Sequence, residues 1–259
     1  MTDLWPSADA NQQRSDQARA LIDQASAGMS IELVALTGMD LCALDGPALL
    51  LFDQPVSDAW GRLDDKQRDQ ATTLTLGGLA RRGLLSDSGT AGTHAVNPPL
   101  GLVLAARTRP AFTVLAEVDH EGARPMKMWA LGDESDPLQA LVVEAPASAP
   151  AGHYPTIRKM GALGWFYRYL LVAPQVATGL LTDWAITAPP RGRRGRAPAR
   201  ILSVYWHRPG EDLRGLIVTV HGDGRTALLS RDDRTTDPEV YDRAGLQQVM
   251  SDLFTLGRR

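Results

Sequence analysis

The stretch that organises this chain is residues 64–85, DDKQRDQATTLTLGGLARRGLL. Its first residues predict the start of a helix, because Asp64 can cap the first turn while Gln67 reaches back to the cap backbone. Gly83 predicts the end of the helix, after which the chain leaves as an extended segment. Between these ends, the spacing predicts an apolar stripe formed by Ala71, Leu74, Gly78 and Leu79.

Two adjacent glycines interrupt this predicted helix near its end. Gly77 and Gly78 each cost roughly 1 kcal/mol relative to alanine in a helix interior. We therefore predict that another element packs closely on this side, so that Gly78→Leu would destabilise the fold by roughly 1–3 kcal/mol through overpacking. Arg81 and Arg82, in the last turn, are interpreted as surface charges that complement the helix dipole.

Composition indicates a globular protein. The chain has 259 residues, of which 44% are hydrophobic and 22% charged, and these values are ordinary for folded domains. A net charge of -3 argues against an extensive nucleic-acid surface. The polar amino terminus and the lack of an uninterrupted apolar span predict a cytoplasmic location with no membrane contact. The high alanine, arginine and glycine usage is typical of high-GC bacteria such as the actinobacteria.

The order of the predicted elements places the protein in the α+β class. Helices dominate the first part, and alternation of period two between 112 and 143 predicts a three-stranded antiparallel meander. A helical segment is predicted from the aromatic residues Trp165, Phe166 and Tyr169 onward through Val176, Leu180, Leu181 and Trp184. A second meander and a final helix follow. The class is therefore antiparallel β-meanders packed with helices, in an order that allows two structurally similar halves.

The domain organisation is predicted from changes in composition. Residues 1–14 are expected to form a flexible tail, and the Pro- and Ala-rich segment that begins at 145 is expected to be a linker. The chain is thus predicted to divide into the tail, a first part at 15–144 and a second part at 145–259. The two parts could also form one continuous domain.

No catalytic motif is present, and the five histidines lack the spacing of metal ligands to one another. Cys42 is the one cysteine, and its apolar context predicts a buried, inert thiol. We therefore expect no cofactor, no metal and no catalysis. The charge concentration that stands out is the loop 189–200, whose arginines are candidate partner-binding residues for phosphates or an acidic segment: Arg191, Arg193, Arg194 and Arg196.

Two functions compete at this point. The first is a nucleic-acid-binding regulator that contains a winged helix-turn-helix, in which 57–63 and 64–82 are its second and third helices. Residues 86–94 would then be the wing, and Val96 would begin its return strand. The polar but weakly basic middle of the 64–82 helix, together with a wing that lacks Lys and Arg, makes nucleic acid the less favoured partner.

The second function comes from a resemblance to the EspG proteins. The chain resembles them in a helix that ends in RGLL at 82–85, a helix that runs into RTRP at 107–110, the meander at 112–143, and the GDGR hairpin at 222–225 before a final helix. The resemblance implies a cytosolic chaperone of type VII (ESX) secretion, which binds secreted client proteins at an exposed helical tip. It also implies a mixed α/β fold with internal pseudo-symmetry. The preferred expectation is thus a non-enzymatic, protein-binding chaperone or adaptor for a helical secreted client, of open oligomeric state.

Overall fold

The computed structural model confirms a mixed α+β fold. It describes residues 8–44, 53–87, 94–108, 110, 112–118, 124–132, 138–148, 160–186, 200–206, 214–220, 226–230 and 242–256. The helices are α1 Ala8–Ser26, α2 Gly38–Leu44, α3 Gln54–Gly61, α4 Asp65–Arg81, α5 Pro98–Thr108, α6 Pro174–Ile186 and α7 Arg243–Leu256. The strands are β1 Ile31–Thr37, β2 Leu85–Asp87, β3 His94–Val96, β4 Thr113–Val118, β5 Met126–Leu131, β6 Ala140–Ala147, β7 Phe166–Val172, β8 Arg200–Trp206, β9 Arg214–Val220 and β10 Thr226–Ser230.

The chain divides into two compact units that are interleaved in sequence. The helical unit comprises Met1–Gln24, Ile31–Arg109 and Ala145–Leu170, and the sheet unit comprises Ala25–Ser30, Pro110–Glu144 and Leu171–Arg259. The predicted domain boundary at residue 145 remains a prediction. The first three residues of the predicted linker, however, are the end of β6 and not a linker.

Antiparallel pairing organises the sheet unit. Its strands lie in the order β6-β5-β4-β8-β9-β10, and each pair of neighbours is antiparallel. The predicted meander at 112–143 is therefore confirmed, as is a second one formed by β8, β9 and β10. The first strands of the two meanders pair with each other, from Thr113 opposite Tyr205 to Val118 opposite Arg200. The meanders thus extend in opposite directions from a central antiparallel pair.

Strand β5, in the core of the sheet unit, is buried on both of its faces. Four consecutive residues, from Lys127 to Ala130, are buried, although neighbouring residues in a strand point to opposite faces. Helix α7 supplies apolar side chains at helical spacing, because Leu246, Met250 and Phe254 are all buried. The Phe254 ring lies 5.8 Å from that of Phe112, which precedes β4. The final helix is therefore part of the core, as its spacing predicts.

The helical unit is built around an apolar cluster between α2, α3 and the short helical turn at 161–164. The buried members of the cluster are Cys42, Val56, Trp60 and Leu163. Gly38, at the start of α2, allows the close approach of these elements. Its amide donates to the Trp165 carbonyl at 2.8 Å, and a Cβ at this position would lie 2.9 Å from the Ala162 carbonyl oxygen. In the same unit, β1 pairs with β7.

Several local predictions are wrong or are decided by the structure. The aromatic segment after residue 165 is the strand β7 and not a helix, because alternate residues Tyr167, Tyr169 and Leu171 are buried while Arg168 is exposed. Helix α1 begins at Ala8, inside the predicted tail. The apolar runs 31–36 and 41–44 suit a strand or a helix by sequence, and they lie in the strand β1 and the helix α2. The apolar run 48–52, which by sequence predicts a strand, lies outside the described residues.

Candidate partner-binding site

Helix α4 has the two ends that its sequence predicts. At the start, the Asp64 carboxylate accepts from the Gln67 amide at 2.8 Å, and the Gln67 side-chain oxygen accepts from the Asp64 amide at 3.0 Å. Both halves of the capping box are thus confirmed. At the end, Gly83 adopts a left-handed φ of 70°, and its amide donates to the Ala80 carbonyl at 2.9 Å. These local bonds fix the length of α4.

The inner side of α4 is anchored by apolar packing and by one arginine. Leu79 is fully buried and Thr75 is nearly so. The Arg82 guanidinium lies 3.2 Å from the Asp40 carboxylate and also donates to the Ala35 carbonyl. The same Asp40 carboxylate accepts from the Thr37 amide at 2.8 Å, which caps the start of α2. Arg82 is therefore a surface charge, as predicted, and it also links α4 to the junction of β1 and α2.

The outer side of α4 is open, contrary to the predicted apolar stripe. Leu74 is 66% exposed, and a Cβ built on Gly77 or Gly78 would meet nothing within 4 Å. Neither glycine is a point of close packing, so the physical basis of the Gly78→Leu prediction is absent. Helix geometry explains the error, because Leu74 and Leu79 lie about 140° apart at 100° per residue and cannot both face one neighbour. The fold buries the side with Leu79.

We define the α4 open face as the exposed residues that follow one line along this helix. In order they are Gln67, Gln70, Leu74, Gly77 and Arg81. Their spacing of three and four residues keeps them within about 40° of a common direction. Leu74 stands at the centre, beside the position without a side chain at Gly77. The result is a protruding apolar side chain next to a glycine whose carbonyl accepts a hydrogen bond from the Arg81 side chain at 3.3 Å. A second helix can pack on such a surface.

A β-hairpin follows α4, as the winged-helix hypothesis predicts. Leu85 pairs with Val96, and Asp87 pairs with His94, so that β2 and β3 run antiparallel. The Asn97 amide donates to the Leu84 carbonyl at 3.0 Å and closes the base of the hairpin. The order of α3, α4, β2 and β3 is therefore that of a helix-turn-helix with a wing. The exposed residues of β2 are Ser86 and Asp87, neither of which carries a positive charge.

A buried ion pair crosses the sheet unit, and the sequence-based reasoning missed it. Lys127 on β5 and Glu144 on β6 are register partners, and their charged atoms lie 2.9 Å apart. The side chains are 2% and 0% exposed. The alternation of residues 126–130 predicts the strand β5 but does not indicate a partner for Lys127. Because water does not reach the pair, we assign it to the fold and not to binding.

The cysteine is confined to the core, as predicted. Cys42 belongs to the buried cluster of the helical unit, and burial raises the pKa of its thiol from 9.0 to about 12. A thiol with such a pKa carries almost no thiolate at neutral pH, and the thiolate is the nucleophile. Cys42 is thus a small apolar side chain in this protein. Within the part of the chain that the structure describes, no group of three His, Cys, Asp or Glu residues is arranged to hold a metal ion.

The candidate arginines fall outside the described residues. Arg191, Arg193, Arg194 and Arg196 belong to the segment 187–199, so their role as partner-binding residues remains a prediction. Of the histidines, His94 lies in β3, and the other four also fall outside. The sequence thus pointed to the arginine loop, whereas the structure points to the open face of α4. The sequence signal for that face is the pair Gly77 and Gly78, from which close packing and not an open surface is predicted.

The fold and this surface define a mixed α+β protein with an open helix face. No protein-family model matches the chain, and no curated protein matches it either. Among the described helices, none combines the length and the apolar content that crossing a lipid bilayer requires.

Proposed function

We propose that this protein is a non-enzymatic, cytoplasmic binding protein that holds a helical segment of a partner protein on the α4 open face. The observation that supports this is Leu74, which is 66% exposed at the centre of an otherwise well-anchored helix. Large apolar side chains that project alone are ordinary on protein surfaces. Leu74 differs because it stands next to Gly77 and Gly78, where nothing blocks the approach of a second backbone.

The energetics of such contacts favour a small number of anchors. Full burial of a leucine side chain contributes roughly 1.5–3 kcal/mol. A partner side chain placed over Gly77 would be buried as well, and a few such central residues supply most of the affinity of typical interfaces. Helix α4 is already held by its capping box and by Arg82. Binding therefore orders little of this protein, which limits the entropic cost.

The finer proposal is that the partner is a client of type VII secretion and that the protein is its chaperone. It is supported by the resemblance to the EspG proteins in the order of elements, and the two meanders and the final helix of the fold agree with that order. The predicted arginine loop would provide a second contact with an acidic segment of the client. In this role the protein masks an apolar helical surface until the client is exported.

Site-specific crosslinking in the native host tests the protein-binding function. A photo-crosslinking residue at position 74 is expected to capture a defined partner, which mass spectrometry then identifies. The matched control is position 29, because Met29 is the other large apolar residue that is exposed among the described residues, at 49%. Crosslinks to one partner at both positions, or at neither, would contradict the proposal.

A purified partner allows a quantitative version of this test. Leu74→Ser is expected to raise the dissociation constant for the partner at least tenfold, because it removes the central apolar anchor. Met29→Ser is expected to leave this constant unchanged. Titration calorimetry measures both dissociation constants. A partner encoded beside the machinery of type VII secretion would support the finer proposal, and a partner from another process would overturn it.

A second candidate function is nucleic-acid binding by a winged helix. The hairpin of β2 and β3 directly after α4 favours it. The charge on these elements does not, because Leu74 and Gly77 occupy the middle of the exposed surface and Asp87 lies on the wing. Retention on heparin that falls with salt, and that is lost when the four loop arginines are changed to serine, would support this function. Retention unaffected by those changes, or none at all, would exclude the loop as a nucleic-acid site.

A further inference from the structure

We infer that the helix accepted by the α4 open face is an acidic amphipathic helix, with carboxylates at both ends of an apolar centre. This inference rests on the proposed function and specifies the chemistry of the partner. It is carried by the distribution of charge along α4. Arg81 lies at one end of the open face, and Lys66 lies beside Gln67 at the other end, about 60° around the helix from the centre of the face; both are exposed. At a rise of 1.5 Å per residue, they are separated by about 22 Å along the helix axis.

The other charges of α4 are already engaged or point elsewhere. Arg68 pairs with Asp65 at 2.6 Å, and Arg82 pairs with Asp40. The remaining carboxylate, Asp69, lies about 120° around the helix from the centre of the open face at 100° per residue. Lys66 and Arg81 therefore have no ion-pair partner among the described residues. The open face thus carries Arg81 and no carboxylate, Lys66 lies at its edge, and the nearest carboxylate, Asp69, lies further around the helix.

This distribution of charge favours an acidic helix over a second copy of the chain and over a nucleic acid as the molecule bound at the open face. A second copy of the chain would bring two more cations and no carboxylate, so pairing of two open faces lacks electrostatic complementarity. A nucleic acid would meet its phosphates only at the two ends, since the central residues Gln70, Leu74 and Gly77 are uncharged. An acidic amphipathic helix complements both the charged ends and the apolar centre of the open face. Its carboxylates pair with Lys66 and Arg81, and its apolar side chains surround Leu74.

The glycines add a requirement on the shape of the partner. Helices pack with their axes 8–10 Å apart, and small residues at the contact permit the shorter distance. Since Cβ positions at Gly77 and Gly78 are open, a partner helix can rest directly on the α4 backbone there. We therefore expect apolar partner residues at spacings of three and four, flanked by acidic residues about fourteen positions apart.

Synthetic peptides and the full-length protein test the inference. The first probe is a 20-residue helical peptide with a central leucine stripe and glutamates fourteen positions apart, and the second has lysines in place of the glutamates. Fluorescence anisotropy is expected to show at least tenfold tighter binding of the glutamate peptide, with a preference that shrinks at high salt. A third peptide with a central proline is expected not to bind, because it cannot form a helix.

Charge reversal on the protein provides the decisive comparison. The double variant Lys66→Glu with Arg81→Glu is expected to prefer the lysine peptide, and this gain of binding cannot result from misfolding. Arg19→Glu, on an exposed part of α1, is the matched control and should keep the wild-type preference. Equal binding of both charged peptides, with binding lost in Leu74→Ser, would overturn the acidic partner while leaving the protein-binding function intact. No binding of any peptide, together with no crosslink at position 74, would overturn both.

Discussion

Helix α4 and the pair of strands β5 and β6 each contain, among the described residues, side chains that reverse the usual positions of polar and apolar groups. On α4, Leu74 is 66% exposed, whereas between β5 and β6 the side chains of Lys127 and Glu144 are 2% and 0% exposed. The difference lies in where each group finds its partner. The two charged groups have partners within the sheet unit, so their burial specifies the fold. The leucine has no such partner among the described residues, and the proposed function assigns it to contact with a second molecule.

The largest effect is expected from separating the ion pair. Lys127→Met leaves the Glu144 carboxylate buried without its lysine, which should lower the free energy of unfolding by about 3–5 kcal/mol. Urea denaturation followed by circular dichroism measures the loss. The double variant Lys127→Met with Glu144→Leu is the control, and it should recover most of the stability because neither charge of the pair remains buried. A double variant as unstable as the single one would mean that the packing, and not the charge, is what matters.

The two leucines of α4 should differ in the same assay. Leu79→Ala removes a fully buried side chain and is expected to cost about 2–5 kcal/mol. Leu74→Ala removes an exposed one and should change stability by less than about 0.5 kcal/mol. The pair is well matched, because residue type, helix and substitution are the same. Equal losses would show that both sides of α4 are packed, and the open face would then not exist.

The burial of Cys42, beside the buried side of α4, can be tested through the pH dependence of the free energy of unfolding. Ala71 of α4 packs against the cluster that contains this cysteine, and burial raises the pKa of the thiol from 9.0 to about 12. Below pH 9 the thiol is protonated in both states and has no effect on the pH profile. Between pH 9 and 12 it ionises only when unfolded, so stability should fall as pH rises.

The measurement for Cys42 is a series of urea unfolding curves from pH 8 to pH 10.5. Cys42→Ala is the control, and its stability should decline less over this range than that of the unmodified chain, whatever its value at pH 8. Parallel declines in the two proteins would mean that the thiol is accessible to solvent in the folded state. Reaction of the native protein with a thiol reagent would then also be fast, whereas the buried position predicts a slow reaction.

The features that the sequence predicts correctly are those decided by a few consecutive residues. The capping box of Asp64 and Gln67 and the turn at Gly83 are local, and the structure contains both. The alternation from 112 to 143 is also local, and it forms the first meander. A few neighbouring residues determine each of these features. The hydrogen bonds of the cap and the turn join residues close in sequence, and the alternation of the strands repeats every two residues.

The errors occur where distant segments decide the outcome. The run FYRYLLV in β7 suits a helix or a strand by composition, and its pairing with β1, far away in sequence, makes it a strand. The Lys127–Glu144 pair depends on the register between two strands and on cover over both faces of the sheet. The open face was missed for a related reason, since the exposure of Leu74 depends on which side of α4 the rest of the unit covers. The four candidate arginines fall outside the described residues, so that part of the site remains a prediction.

The smallest expected effect concerns the glycines and tests the open face most directly. Gly77→Ala should stabilise the protein by roughly 0.5–1 kcal/mol, because alanine is the better helix former and its Cβ would meet nothing within 4 Å. Gly83→Ala is the matched control and should destabilise by about 1 kcal/mol, since its φ of 70° suits glycine. A loss of stability in Gly77→Ala would restore the close packing that the sequence suggested. The predicted gain would instead show that Gly77 costs stability at an exposed site, as expected if the proposed partner helix packs on this position.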